Sequence, residues 1–188
     1  NALFDVDDDG VRDDTSWIGS GDAFLFIDRD GNGTVSGVDE LSFVDDVENA
    51  RSDLDGLRSF DSNADGILSS ADDRFGDFGT WQDLDTDGEV DAGEIFTLGE
   101  AGVVSINLNA NATEAGFTLG DVAIVNIGGF ERSDGTFSAY ADAAITFFEN
   151  GDHTSENGFR VRRPPVFLQR LCESDADLGC MFSVRITK

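Results

Sequence analysis

Residues 28 to 39, DRDGNGTVSGVD, place oxygen-bearing side chains at loop positions 1, 3, 5 and 12, with glycine at position 6. This is the spacing with which a twelve-residue loop wraps a hard divalent cation such as calcium, which takes six to eight oxygens. Asp28, Asp30 and Asn32 offer side-chain oxygens, Thr34 a backbone carbonyl, Ser36 an oxygen directly or through water, and Asp39 a closing carboxylate. Gly33 lets the chain reverse at positive φ.

The pattern recurs. In DSNADGILSSAD, residues 61 to 72, the ligands are Asp61, Asn63, Asp65, the Ile67 carbonyl and Asp72; in DLDTDGEVDAGE, residues 83 to 94, they are Asp83, Asp85, Asp87, the Glu89 carbonyl, Asp91 and Glu94. A fourth window, DVDDDGVRDDTS at 5 to 16, offers Asp5, Asp7, Asp9, the Val11 carbonyl and Asp13, but has Ser16 at the closing position. The expectation is several calcium ions, at least three. Loop starts at 5, 28, 61 and 83 suggest two pairs of loops and a duplicated unit. Val35, Leu68 and Val90 at position 8 would form the small two-stranded contact between paired loops.

Composition agrees with that chemistry. The formal charge is −27, and eighteen of the 39 acidic residues fall inside the four windows. Such a chain lacks the clustered Lys and Arg of a nucleic-acid surface and is unsuited to an anionic membrane. Its 16 Phe and two Trp supply the apolar area that a disordered chain would lack. Carboxylates this close repel one another unless a cation neutralises them, so metal binding and folding should be coupled. No apolar run approaches the ~20 residues of a membrane-spanning helix. Asn1 to Gly10 has no signal-peptide pattern, and the chain reads as a piece of a longer, secreted protein.

The elements that must position the loops follow from periodicity. Ala23 to Ile27 leads into the second loop. Leu41, Phe43, Val44 and Val47 suggest a short helix, and Leu54, Leu57 and Phe60 another that delivers Asp61. Phe75, Phe78 and Trp81, then Ile95 and Leu98, continue the helical spacing. From residue 103 the period becomes two, as in Val104, Ile106 and Leu108, with the apolar run Val122 to Ile127 and a turn at 133 to 136. Ala139 to Glu149 fits either strand or helix.

In the C-terminal thirty residues, net charge +3, Phe159 and Val161, then Phe182, Val184 and Ile186, alternate with polar residues. Cys172 and Cys180 could close a hairpin disulfide or remain free thiols. The expected fold is α+β: a loop-rich single domain over 1–188, with paired EF-hand-like calcium loops and short helices over 1–102. A small antiparallel β region with basic C-terminal strands would follow over 103–188.

The order FDVDDDGVRDDTSWIG, GDAFLFIDRDGNGTVSGVDEL, LRSFDSNADGILSSADDRF and WQDLDTDGEVDAGEIFTLGEAGVVSINL resembles a calcium-binding module of bacterial RTX proteins over roughly residues 3 to 110. Two relatives differ in what they imply. The self-processing module of iron-regulated RTX proteins cleaves an Asp-Pro bond when calcium binds. The ligand-binding domain of giant RTX adhesins holds the free C-terminal end of a peptide with a calcium ion at its carboxylate. Here Pro164 follows Arg163 and Pro165 follows Pro164, so the chain contains no Asp-Pro bond. The single histidine, His153, lies in a hydrophilic stretch, and no motif sets a nucleophile beside a base. The reading that follows is a non-enzymatic extracellular recognition domain of a bacterial adhesin, a monomer within a larger protein. It would bind a peptide or protein on a target cell, without nucleic acid or membrane insertion, through pocket residues the sequence does not identify. Self-processing and a calcium-stiffened spacer are the alternatives.

Overall fold

The computed structural model describes residues 2–109, 117–119, 122–148 and 181–187. These residues are organised around β3 (Ala23–Ile27), whose five residues are all buried. A strand covered on both faces needs no polar alternation, hence the unbroken AFLFI run. Ala23, Leu25 and Ile27 enter one core cluster with Leu54, Leu57, Phe60 and Phe130. Phe24 and Phe26 enter the other, with Trp17, Trp81, Ile124 and Ile145.

Among the described residues, eleven strands share the connected sheet: β1 (Ala2–Phe4), β2 (Asp13–Thr15), β3, β4 (Ile67–Ser69), β5 (Phe78–Trp81), β6 (Ile95–Thr97), β7 (Val103–Asn107), β8 (Phe117–Leu119), β9 (Val122–Arg132), β10 (Phe137–Phe148) and β11 (Met181–Thr187). The main path runs β4-β7-β9-β10-β11-β3-β5-β6. The β1–β2 hairpin joins through β10, and β8 joins through β9. Pairing is antiparallel except where β11 lies parallel to both β10 and β3. Tyr140 packs over Gly128, where an added Cβ would lie 2.3 Å from the ring, and its hydroxyl donates to the Asn107 carbonyl at 2.8 Å.

The α+β expectation is overturned, because the described residues are mostly β and the loops are not framed by EF-hand helices. Among the described residues, the α-helices are α1 (Val38–Leu41) and α2 (Asp53–Leu57), the latter extended by a 3-10 turn at Arg58–Phe60. The Leu54, Leu57 and Phe60 spacing is helical in the structure; the Val44 region is only a 3-10 turn, Val44–Asp46. Phe75, Phe78 and Trp81 do not form a helical face: a 3-10 turn at Phe75–Asp77 runs into β5. Ile95 opens β6 rather than a helix. Apolar residues three apart also arise where a turn delivers a short buried strand, and here pairing with β3 supplies the backbone hydrogen bonds that a helix would have supplied. Residues 139–148 are strand, as part of β10.

Nor do the loops pair as their intervals suggest. Leu68 lies in β4 opposite Ile106 of β7, not opposite another loop. The loop at 83 lies instead against the N-terminal hairpin, where Leu3 N–H donates to the Asp87 carbonyl at 3.2 Å. Arg12 reaches across to pair with Glu89. Of the C-terminal expectations, the strand through Phe182, Val184 and Ile186 is β11. Phe159, Val161, His153, Cys172 and Cys180 lie outside the described residues.

Candidate calcium sites

The four loops share one backbone design. Position 4 adopts positive φ in each, at Asp8 (58°), Gly31 (76°), Ala64 (59°) and Thr86 (62°), and position 6 is a glycine at φ 78–83° in each: Gly10, Gly33, Gly66 and Gly88. The first aspartate holds that turn. Asp5, Asp28, Asp61 and Asp83 accept the position 6 N–H at 2.9, 2.9, 2.8 and 2.8 Å. The side chain at position 5 then accepts the N–H of position 7. Asp9 receives Val11, Asn32 receives Thr34, Asp65 receives Ile67 and Asp87 receives Glu89, all at 2.7–2.8 Å. These bonds fix the peptide joining positions 6 and 7, immediately before the carbonyl that is the expected seventh-position ligand.

Three loops are closed by a carboxylate that folds back over the turn and accepts the N–H groups of positions 2 and 9. In the third loop Asp72 accepts Ser62 at 2.8 Å and Ser69 at 2.9 Å. In the fourth, Glu94 accepts Leu84 at 2.8 Å and Asp91 at 3.0 Å. In the second loop this place belongs to Glu40, which accepts Arg29 and Ser36 at 2.8 Å each. Asp39, the expected closing ligand, is exposed, and its carbonyl accepts from Arg29 Nε. The loop is one residue longer than the spacing suggests, and the first turn of α1 points Glu40 inward, where it is 2% exposed.

The first loop has no such closure, because its chain continues directly into β2. Asp13, expected as a ligand, is buried in β2 opposite Phe4 and is not grouped with Asp5, Asp7 and Asp9.

Carboxylate oxygens converge to within 4.8 Å of one another in four groups: Asp5, Asp7 and Asp9; Asp28, Asp30 and Glu40; Asp83, Asp85 and Glu94; and Asp85, Asp87 and Asp91. The loop at 61 has Asn63 where its neighbours have a third-position carboxylate, and its Asp61, Asp65 and Asp72 do not form such a group. Oxygen-only donors of this kind fit a hard cation of calcium's size. The closing carboxylates are also buried: Glu40, Asp72 and Glu94 are 2%, 6% and 3% exposed. Burying a carboxylate is costly unless a cation or several N–H donors meet it. Burial pushes the Asp83 pKa up, against N–H donation from Gly88, Trp17 and Thr86 that favours the charged form. Burial also acts on Asp72, but there the N–H groups of Ser69, Asn63 and Ser62 win and its pKa is lowered.

Three residues that meet these loops were not singled out as site residues from the sequence. Glu40 had a readable signal, since a glutamate is the usual closing residue and follows Asp39 directly. Trp17 and Trp81 had none. Their indole N–H groups donate to Asp83 Oδ2 at 2.6 Å and to Glu94 Oε2 at 3.3 Å, contacts that only the fold creates.

The fold and its repeated acidic loops define a β-rich module built around metal-ready turns. The family model for the SPM domain matches residues 1–146, and the chain belongs to that family. It is also 32% identical over 148 residues to the iron-regulated protein FrpA of Neisseria meningitidis serogroup C, which agrees with the RTX-related character of the loops. That match covers 77% of this chain and 13% of FrpA. Among the described residues, no helix is long and apolar enough to cross a membrane.

Proposed function

We propose that this chain is a calcium-folded module of a secreted RTX-type protein, whose role is calcium-triggered self-processing of the polypeptide that carries it. The observation that carries the calcium part is the repeated closure by Glu40, Asp72 and Glu94, each bonded to the N–H groups of loop positions 2 and 9. A closing carboxylate held in this way is aimed over the loop, where it can meet a cation held by the first, third and fifth positions. Membership of the SPM domain family and the resemblance to self-processing modules favour processing over peptide-end recognition. The scissile Asp-Pro bond would lie elsewhere in the parent protein, since this chain contains none. Calcium would act by ordering the module, and the ordered module would hold the aspartate against its following peptide bond.

The test is a longer piece of the parent protein that includes an Asp-Pro bond, held in chelator and then given calcium. Appearance of a fragment beginning with that proline supports the reading, and an intact chain that nevertheless folds with calcium overturns it. A second reading draws on the first loop, where Ser16 occupies the closing position and the chain runs on into β2. A calcium ion there would have room for a ligand's carboxylate, as in peptide-end recognition by an RTX adhesin. Calcium-dependent binding to peptides with free, but not amidated, C-termini would favour it.

A further inference from the structure

The four loops are not equivalent in how they meet the core. Asp5, Asp28 and Asp61 are partly exposed, whereas Asp83 is fully buried and Glu94 is 3% exposed. The hydrogen bonds to Asp28, Glu40, Asp61 and Asp72 come from groups of their own loops. Asp83 and Glu94 each receive a further bond from an indole. Trp17 Nε1 donates to Asp83 across 66 residues of sequence, and Trp81 Nε1 donates to Glu94 across 13. The two tryptophans meet edge to face, 5.4 Å between centroids, and both contact Phe4 and Phe24 at 4.8–5.9 Å.

We propose that the loop at 83–94 is the site through which calcium organises the core, with Trp17 and Trp81 as positioning residues that fix its first and last carboxylates. The inference rests on the calcium reading above and assigns a place to it. An indole has a single N–H, and a buried one needs an acceptor. Each tryptophan is thereby keyed to one carboxylate, and the packed rings of Phe4 and Phe24 hold both indoles in place. A ligand shell held by a second tier of donors binds its metal more tightly, and loss of one such donor typically costs 10–100-fold in affinity. Conversely, without an ion Asp83 and Glu94 are two buried carboxyl groups within 4.8 Å of one another, each hydrogen-bonded to an indole of the aromatic cluster. The first and closing carboxylates of the loops at 28 and 61 are held by their own loops and not by an indole of the core, so occupancy of those loops should act more locally.

The experiment is a calcium titration of the whole chain, followed by calorimetry and by tryptophan emission. A parallel titration uses terbium(III), whose luminescence is sensitised by nearby indoles. In the wild-type chain one binding step should carry most of the change in emission and most of the sensitised terbium signal. Trp17→Phe and Trp81→Phe, which keep a ring but lose the N–H, should each weaken that step about tenfold or more and leave the other steps unchanged. Glu94→Gln should remove the step and its terbium signal. If Trp17→Phe does not fold, a benzothienyl analogue at position 17, isosteric with indole but without the N–H, provides the same comparison.

Unchanged affinity in the analogue or in both Phe variants overturns the inference, as does a sensitised signal that survives Glu94→Gln. Absence of calcium binding at every step would instead overturn the calcium reading itself.

Discussion

Glu40 and Asp39 are adjacent acids with opposite expected roles in the loop at 28, and exchanging each for its amide separates them. Glu40 is 2% exposed and accepts two backbone N–H groups at 2.8 Å, one on each oxygen. In Glu40→Gln one oxygen becomes an NH2 group facing an N–H, so a buried donor loses its partner at a cost of about 1–3 kcal/mol. The ligand charge is lost as well. If calcium stands at about 100 times its dissociation constant, losing the site removes a further ~2.7 kcal/mol.

The expected total is about 4–6 kcal/mol in calcium, which for a chain of this size lowers Tm by roughly 8–20 °C. Asp39→Asn alters an exposed side chain and should stay within about 0.5 kcal/mol in both conditions. Thermal melts of the three proteins with calcium and with chelator provide the comparison. A large calcium-dependent loss in Asp39→Asn, with Glu40→Gln near wild type, would refute the assignment of Glu40 as the closing ligand.

Chelation of the wild-type chain should remove most of its cooperative melt and its near-ultraviolet circular dichroism. Three sites at ~2.7 kcal/mol each equal the whole stability of a typical domain, so equal melting points in calcium and chelator would be incompatible with coupled folding. Asp53 and Asp142 form a buried acidic pair in which Asp53 accepts from Phe43 and Val44 N–H and Asp142 from Leu54 N–H. Burial, then the neighbouring Asp142, raises Asp53 from 3.8 to about 7. The native state therefore binds the proton more tightly than the unfolded chain; this stability is complete below about 3.8 and is lost as pH rises through about 7. With calcium held saturating, Asp53→Asn should flatten the decline across that window, a difference on the order of 4 kcal/mol, measured by denaturant midpoints at several pH values. Gly56→Ala should cost on the order of 3 kcal/mol, because the new Cβ would lie 1.7 Å from the Phe43 carbonyl oxygen and α2 would have to lift from the core; an unchanged urea midpoint would contradict that packing.

The turns are locally encoded. Oxygen donors two residues apart and a glycine at position 6 are local constraints, satisfied by hydrogen bonds spanning two to five residues, so the same backbone appears at 5, 28, 61 and 83. The apolar run of β3 and the Leu54–Phe60 helical spacing are local in the same sense. Whatever depended on distant partners was not legible. Phe75, Phe78 and Trp81 carry helical spacing, yet antiparallel pairing of β5 with β3, some fifty residues earlier in the chain, makes Phe78–Trp81 a strand. The loop at 83 lies beside the N-terminal hairpin rather than beside the loop at 61, because strand pairing, not loop interval, decides which turns are neighbours. Glu40 displaces Asp39 because one turn of α1 rotates the next side chain inward. Tertiary structure alone brings Trp17 to Asp83, since an indole N–H buried in an aromatic core takes whichever acceptor the packing places within reach.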